Sequence, residues 1–131
     1  MTFREITMAD YDKLVPFWKE NYFVNEHDSK DRFKLYLEKN PGLSIVVQEN
    51  QKIIGTMLGA FDGRRGYLQK LVVHKSFRRK GIGKKLVEMT TKKLQTLGCL
   101  YITLNVEKEL VDFYKSCGFK VTNQVPMNID I

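Results

Sequence analysis

A mixed α/β (α+β) fold is what this chain predicts, with a central sheet of six to seven strands flanked by about four helices. Three observations carry that expectation. Short β-branched runs recur between turn signals, four segments repeat their apolar residues at helical spacing, and one stretch, Leu68 to Leu97, reads as core strand, basic loop and helix in succession. At 131 residues the chain has the length of one ordinary domain, expected to span residues 1–131 and to bury a core without disulfides or metal.

The elements follow in order. Thr2 to Ile6 alternates and reads as a first strand, and Ala9 to Tyr22 as a helix with Asp10 near its start. A second helix, about Ser29 to Glu38, is stopped by Asn40-Pro41-Gly42. Ser44 to Gln48 and Ile53 to Phe61 form a hairpin about the polar turn Glu49-Asn50-Gln51-Lys52, and Asp62 to Gly66 turns the chain again. Tyr67 to His74 is a short, β-branched central strand. From Gly81, the residues Ile82, Leu86, Val87, Thr90, Leu94 and Leu97 keep helical spacing until Gly98 ends the run. Tyr101 to Val106 is a strand, Glu107 to Ser116 a helix ended by Gly118, and Phe119 to Val125 and Met127 to Ile131 are closing strands.

Composition excludes several classes. No stretch approaches the roughly 20 apolar residues of a membrane span, and the first dozen residues carry acids and no apolar core of a leader peptide, so a soluble cytoplasmic protein is expected. Two cysteines and two isolated histidines, His27 and His74, have neither the count nor the spacing of a disulfide framework or a metal site, so no metal is expected. The net charge of +7 is unevenly placed. Between Arg64 and Lys93 lie eleven of the 22 basic residues against one acid, Glu88, whereas the first 38 residues hold eight acids and six bases. A basic middle points to a polyanionic ligand, and charge alone does not separate nucleic acid from a phosphorylated cofactor.

The segment Arg78-Arg79-Lys80-Gly81-Ile82-Gly83 opens a helix directly after a core strand. Gly81 and Gly83 lack Cβ, so the backbone can turn tightly and an anion can approach free N–H groups at the positive end of the helix dipole. Neither GxxxxGK[ST] nor GxGxxG is present, which separates the turn from the phosphate loop of nucleotide triphosphatases and from dinucleotide-binding folds. Two glycines could simply make a tight connection. Six basic residues from Lys75 to Lys85 with no acid among them favour an anion site.

The run Val72-Val73-His74-Lys75-Ser76-Phe77-Arg78-Arg79-Lys80-Gly81-Ile82-Gly83-Lys84-Lys85-Leu86 resembles the cofactor motif of the GNAT superfamily of N-acetyltransferases in order, spacing and position. Phe113-Tyr114-Lys115-Ser116-Cys117-Gly118-Phe119 is similar to a second element of that family, an aromatic pair followed by a GF pair. The resemblance covers nearly the whole chain. It implies a mixed, mostly antiparallel sheet splayed between strands 4 and 5, and transfer of acetyl from acetyl-CoA to a primary amine by direct attack in a ternary complex. It further implies that Leu71, Val72 and Val73 pair with the pantetheine arm, that the amides of Arg78, Arg79, Lys80, Gly81, Ile82, Gly83 and Lys84 bind the pyrophosphate, that the Leu71 N–H steadies the oxyanion, and that Tyr114 protonates the departing thiolate.

On spacing alone Tyr114 belongs to a broad apolar helix face with Leu110, Val111, Phe113 and Cys117; the resemblance is what assigns it to catalysis. The chain departs from the family where Glu107 and Leu110 stand in place of an asparagine and an alanine, and Asn105 is the substitute contact to the cofactor arm. The amine's proton can leave through a carboxylate or a water chain; the candidate carboxylates are Glu26, Asp28, Asp62 and Glu107, with Glu26 the working assignment. Trp18, Tyr22, Phe23 and Glu26 offer an aromatic and acidic acceptor surface. The competing readings are a non-catalytic acyl-CoA sensor of the same fold and a basic nucleic-acid-binding module, the latter weakened because only Tyr67 and Phe77 interleave the basic patch. Monomer and homodimer are both open, since Met127–Ile131 can pair across two copies.

Overall fold

The computed structural model describes residues 1–131. Its sheet contains β1 (Thr2–Glu5), β2 (Ile45–Glu49), β3 (Lys52–Phe61), β4 (Gly66–Val73) and β5 (Ile102–Thr103), ordered β1-β2-β3-β4-β5. The first three pairings are antiparallel and β4–β5 is parallel. Helices α1 (Tyr11–Asn21) and α2 (Lys30–Lys39) precede β2, α3 (Ile82–Thr96) follows β4, and α4 (Val111–Ser116) follows β5.

Local chemistry fixes these boundaries. Asp10 accepts the Thr7 N–H at 2.8 Å in the turn before α1 and receives the Arg4 guanidinium in a fork of 2.9 and 2.6 Å, which ties β1 to the helix start. Ser29 caps α2 by accepting the Arg32 N–H. The β2–β3 hairpin closes through Asn50 and Gln51, both at positive φ, as a two-residue turn whose twist matches the strands.

The sheet buries apolar residues on both faces. Ile6, Leu14, Phe17, Trp18, Phe33, Val46, Ile53, Leu58 and Val72 form one cluster, involving α1 and α2. On the other side Ile82, Leu86, Val87 and Leu94 of α3 join Ile45, Val47, Ile54, Met57 and Leu68. Leu86 and Leu94 are fully buried, each contributing roughly 1.5–3 kcal/mol relative to exposure. Close approach of α3 depends on Gly59 of β3, where an added Cβ would lie 2.7 Å from the Leu43 carbonyl oxygen and 2.8 Å from Thr90 Cγ2.

The fold class matches the sequence expectation, whereas the strand count is five, not six or seven. The strand expected over Tyr101–Val106 contracts to Ile102–Thr103, and neither Phe119–Val125 nor Met127–Ile131 forms a strand. Val125, Met127, Ile129 and Ile131 do alternate, but all are exposed and no neighbouring edge pairs with them. Alternation supplies a face, and a strand also needs a ladder partner. The expected splay is present: β4 and β5 pair only at Gly66–Ile102 and Tyr67–Thr103, and from Leu68 onward that edge of β4 has no partner strand.

Candidate active site

The site begins with a bulge. Thr56 pairs with Val72 and Leu58 with Gln69, so Lys70 and Leu71 together oppose Met57, and Lys70 takes φ +56°. Trp18 Nε1 donates to Thr56 Oγ1 at 3.0 Å, and that hydroxyl donates to the Lys70 carbonyl oxygen at 2.9 Å. Both Trp18 and Thr56 are fully buried, so this relay from α1 across β3 holds the bulge. Leu71, Val72 and Val73 follow it along the edge that β5 leaves free.

The basic turn is then anchored from α1. Asn21 Oδ1 accepts the Lys75 N–H at 3.1 Å, Arg78 Nε donates to the Val73 carbonyl at 3.0 Å, and Arg78 Nη2 reaches the Asn21 carbonyl at 3.4 Å. The Arg78 guanidinium therefore ties the turn to the C-terminal end of α1, a favourable place for a cation. Arg79 and Gly81 both have positive φ, at 62° and 80°, and left-handed residues interspersed in a turn are the backbone pattern from which anion-binding concavities are built. None of the backbone amides from Arg78 to Lys84 donates to an acceptor in the chain, and no side chain caps α3. Its first turn carries no acid.

Gly83 has a role that its place in the motif did not reveal. An added Cβ would sit 3.3 Å from Phe113 Cζ and 3.8 Å from Val73 Cγ2, so the start of α3, the end of β4 and α4 meet there. Beside Phe113, Tyr114 is 6% exposed and packs edge-on to Phe113 and Phe119, with centroids 5.1 and 5.7 Å apart. Its hydroxyl has no hydrogen-bond partner within the chain, yet it is not one of the sealed, unpartnered hydroxyls, which are those of Tyr36 and Thr91. Burial pushes the Tyr114 hydroxyl far above the ordinary phenol range, with the charges of Cys117, Glu107 and Tyr22 adding to the shift.

A contact unforeseen in sequence joins the two sides of the molecule. Tyr22, just past α1, donates its hydroxyl to Glu107 Oε1 at 2.7 Å, and Glu107 stands at the start of the turn leading into α4 without a capping hydrogen bond from its side chain. Burial and this hydrogen bond raise the Tyr22 hydroxyl well above its usual value, so it remains a donor. Asn105 is exposed and makes no hydrogen bond. Glu26 is 82% exposed with only His27 near its carboxylate, at 3.9 Å. Asp28 pairs with Lys70, and Asp62 accepts the N–H groups of Arg64 and Arg65 in its own turn.

A sequence model described as "Acetyltransferase (GNAT) family" matches residues 7–119, which spans the bulge, the basic turn and Tyr114. The chain belongs to the GNAT family. An acetyltransferase of Pectobacterium atrosepticum is 30% identical to this GNAT chain, over 97% of it and 93% of the relative. Two solved structures share the fold: the PaiA N-acetyltransferase of Thermoplasma acidophilum in complex with coenzyme A, at a TM-score of 0.81 and 20% identity over 95% of this chain and 92% of that one, and a predicted acetyltransferase of Clostridium acetobutylicum with acetyl-CoA, at 0.78 and 21% over 97% and 95%. No helix of this GNAT chain is long and apolar enough to cross a membrane, and no group of three or more His, Cys, Asp or Glu side chains is placed to hold a metal ion.

Proposed function

We propose that this chain is an N-acetyltransferase that moves the acetyl group of acetyl-CoA to a primary amine by direct attack in a ternary complex. The observation that carries this reading is the row of unpartnered amides from Arg78 to Lys84, set at the positive end of α3 immediately after the free edge of β4. Such a row suits a pyrophosphate, and the open edge at Leu71, Val72 and Val73 suits an amide-bearing arm laid alongside it as an extra strand.

Bound acetyl-CoA supplies the activated acetyl group. The residues then divide the work. The N–H of Leu71, set by the bulge, donates to the thioester carbonyl oxygen as it gains negative charge. The amine nitrogen bonds to the carbonyl carbon, the carbon–sulfur bond breaks, and the thiolate takes the Tyr114 proton. Tyr114 suits the acid role because its raised pKa keeps it protonated and its hydroxyl is free of protein partners.

For the proton lost by the amine, support moves from Glu26 to Glu107. Both carboxylates are exposed, but Glu107 is held in place by the Tyr22 hydroxyl at 2.7 Å four residues before α4 and seven before Tyr114, whereas Glu26 has only His27 near it, at 3.9 Å. Glu107 also occupies the position at which the chain departs from the family asparagine, so the departure carries a carboxylate into the site.

The test is calorimetric titration with acetyl-CoA of the wild type and of Gly81→Asp. A Cβ at Gly81 meets nothing within 4 Å, and aspartate is among the residues that tolerate its φ of +80°, so the variant should fold while placing a carboxylate where the pyrophosphate would lie. One-to-one binding in the wild type, weakened at least about tenfold in the variant, is expected. No binding by a folded wild-type protein would overturn the reading.

A further inference from the structure

The bulge residue Lys70 sends its side chain under the segment that follows α1. Although it is a lysine, the side chain is only 7% exposed, and its ion-pair partner Asp28 is 11% exposed. Its Nζ donates to the Phe23 carbonyl oxygen at 2.7 Å and lies 3.1 Å from Asp28 Oδ2. It also stands 4.4, 5.0 and 5.5 Å from the ring centroids of Phe23, Trp18 and Tyr22. Three aromatic rings, a carboxylate and a carbonyl oxygen around one nitrogen are the chemistry of a receptor for an organic ammonium. Lysine is an unfavourable choice at φ +56°, where glycine would be unstrained, and the box contacts offset that cost.

These rings include the aromatic surface on which an acceptor amine was expected, and the structure finds it occupied from within. The geometry points to an organic-ammonium site whose resident is the chain's own Lys70, which makes Lys70 a specificity-determining residue of the acceptor side. The tethered ammonium holds the box at a high effective concentration that a free amine does not match. An acceptor with a second cationic group, such as a diamine, is therefore denied a place to hold that group, while a monoamine needs none. The acceptor half of this inference rests on the acetyltransferase reading above; the box itself does not.

A plain structural staple would lose stability when Lys70 is removed and recognise nothing in its place, whereas an ammonium site would be refilled. Trp18 is the single tryptophan of the chain and lies 5.0 Å from Nζ, so intrinsic fluorescence reads the box. Lys70→Gly fits the local φ and empties it. Titration with n-propylammonium chloride, against sodium chloride of equal ionic strength, should give a saturable change in Lys70→Gly at least about tenfold tighter than any response of the wild type, and adding Asp28→Asn should remove it. A folded Lys70→Gly with no saturable change, or a wild type responding equally, overturns the site. Lys70→Asn, which also accepts left-handed backbone, carries the same test. Should either variant be poorly folded, recovery of its melting temperature by propylammonium but not sodium supports the site, and no recovery overturns it. In acetyl transfer, the ratio of turnover on 1,3-diaminopropane to that on propylamine should rise about tenfold in Lys70→Gly. An unchanged ratio alongside propylammonium binding overturns the specificity role alone. Absence of any transfer by the wild type overturns the acetyltransferase reading and leaves the fluorescence result to decide the box.

Discussion

Trp18 Nε1 donates to the hydroxyl of Thr56 at 3.0 Å, across 38 residues of sequence and in the fully buried interior. Because that hydroxyl in turn donates a hydrogen bond to the Lys70 carbonyl at 2.9 Å, one threonine couples α1 to the β4 bulge. Thr56→Val keeps the shape but leaves the indole N–H unpaired, and should cost about 1–3 kcal/mol of unfolding free energy in urea titrations. It should also lower kcat for acetyl transfer more than it weakens acetyl-CoA binding, since the bulge sets Leu71. A change in stability within about 0.5 kcal/mol of zero would show that the relay holds nothing.

Tyr114→Phe removes only a hydroxyl that bonds to nothing in the chain, so the packing against Phe113 and Phe119 survives. Turnover should fall by roughly 100-fold or more at saturating acetyl-CoA, with the calorimetric Kd nearly unchanged. Because the hydroxyl titrates above the ordinary phenol range, the wild-type rate should not decline through about pH 10 from loss of this proton. Equal turnover by the two proteins would remove Tyr114 from the mechanism.

The carboxylate assignment separates by substitution. Glu107→Gln should lower kcat by about 100-fold, while Glu26→Gln should leave it within about twofold. Initial rates of CoA release on a reactive monoamine read both, and the reverse ranking would return the role to Glu26.

Asp10 gives the fold a dependence on acid. Burial alone would raise its pKa, but the Arg4 fork and the Thr7 N–H outweigh that, so the folded value lies below the ordinary carboxylate value of about 3.9. The unfolded chain then binds the proton more readily than the folded one. This contribution is present in full above the unfolded pKa and is lost as pH falls through the lower folded value. Asp10→Asn should therefore be less stable than wild type near neutrality, by about 1–2 kcal/mol because Arg4 is 34% exposed, and the gap should close only below about pH 4. Urea titrations at stepped pH read the difference, and a constant gap down to pH 2 would contradict it.

Periodicity made much of the fold legible. The helix from Ile82 and the strands through Val73 lie within a few residues of their sequence signals, because each carries its own apolar pattern, glycine stops or turn residues. The expected closing strands are absent because alternation in Val125, Met127, Ile129 and Ile131 is local, while strand formation depends on an edge that β5, two residues long, does not extend to them. The same division runs through the site. Arg78 to Lys84 is contiguous and was visible as a motif. Tyr22 and Glu107 meet across 85 residues, and Lys70 meets Phe23 across 47, so composition recorded Lys70 only as one more base in a basic stretch. Its left-handed backbone and aromatic surroundings arise from tertiary packing that no window of sequence contains.

The most direct test of acetyl transfer is the release of free CoA thiol, followed with a chromogenic disulfide, when the protein and acetyl-CoA are mixed with and without a panel of primary amines. Release that requires an amine, saturates with it, and is suppressed in Gly81→Asp and Tyr114→Phe is the predicted result. A folded protein that binds acetyl-CoA yet releases no CoA with any amine would contradict transfer and make the chain an acyl-CoA sensor.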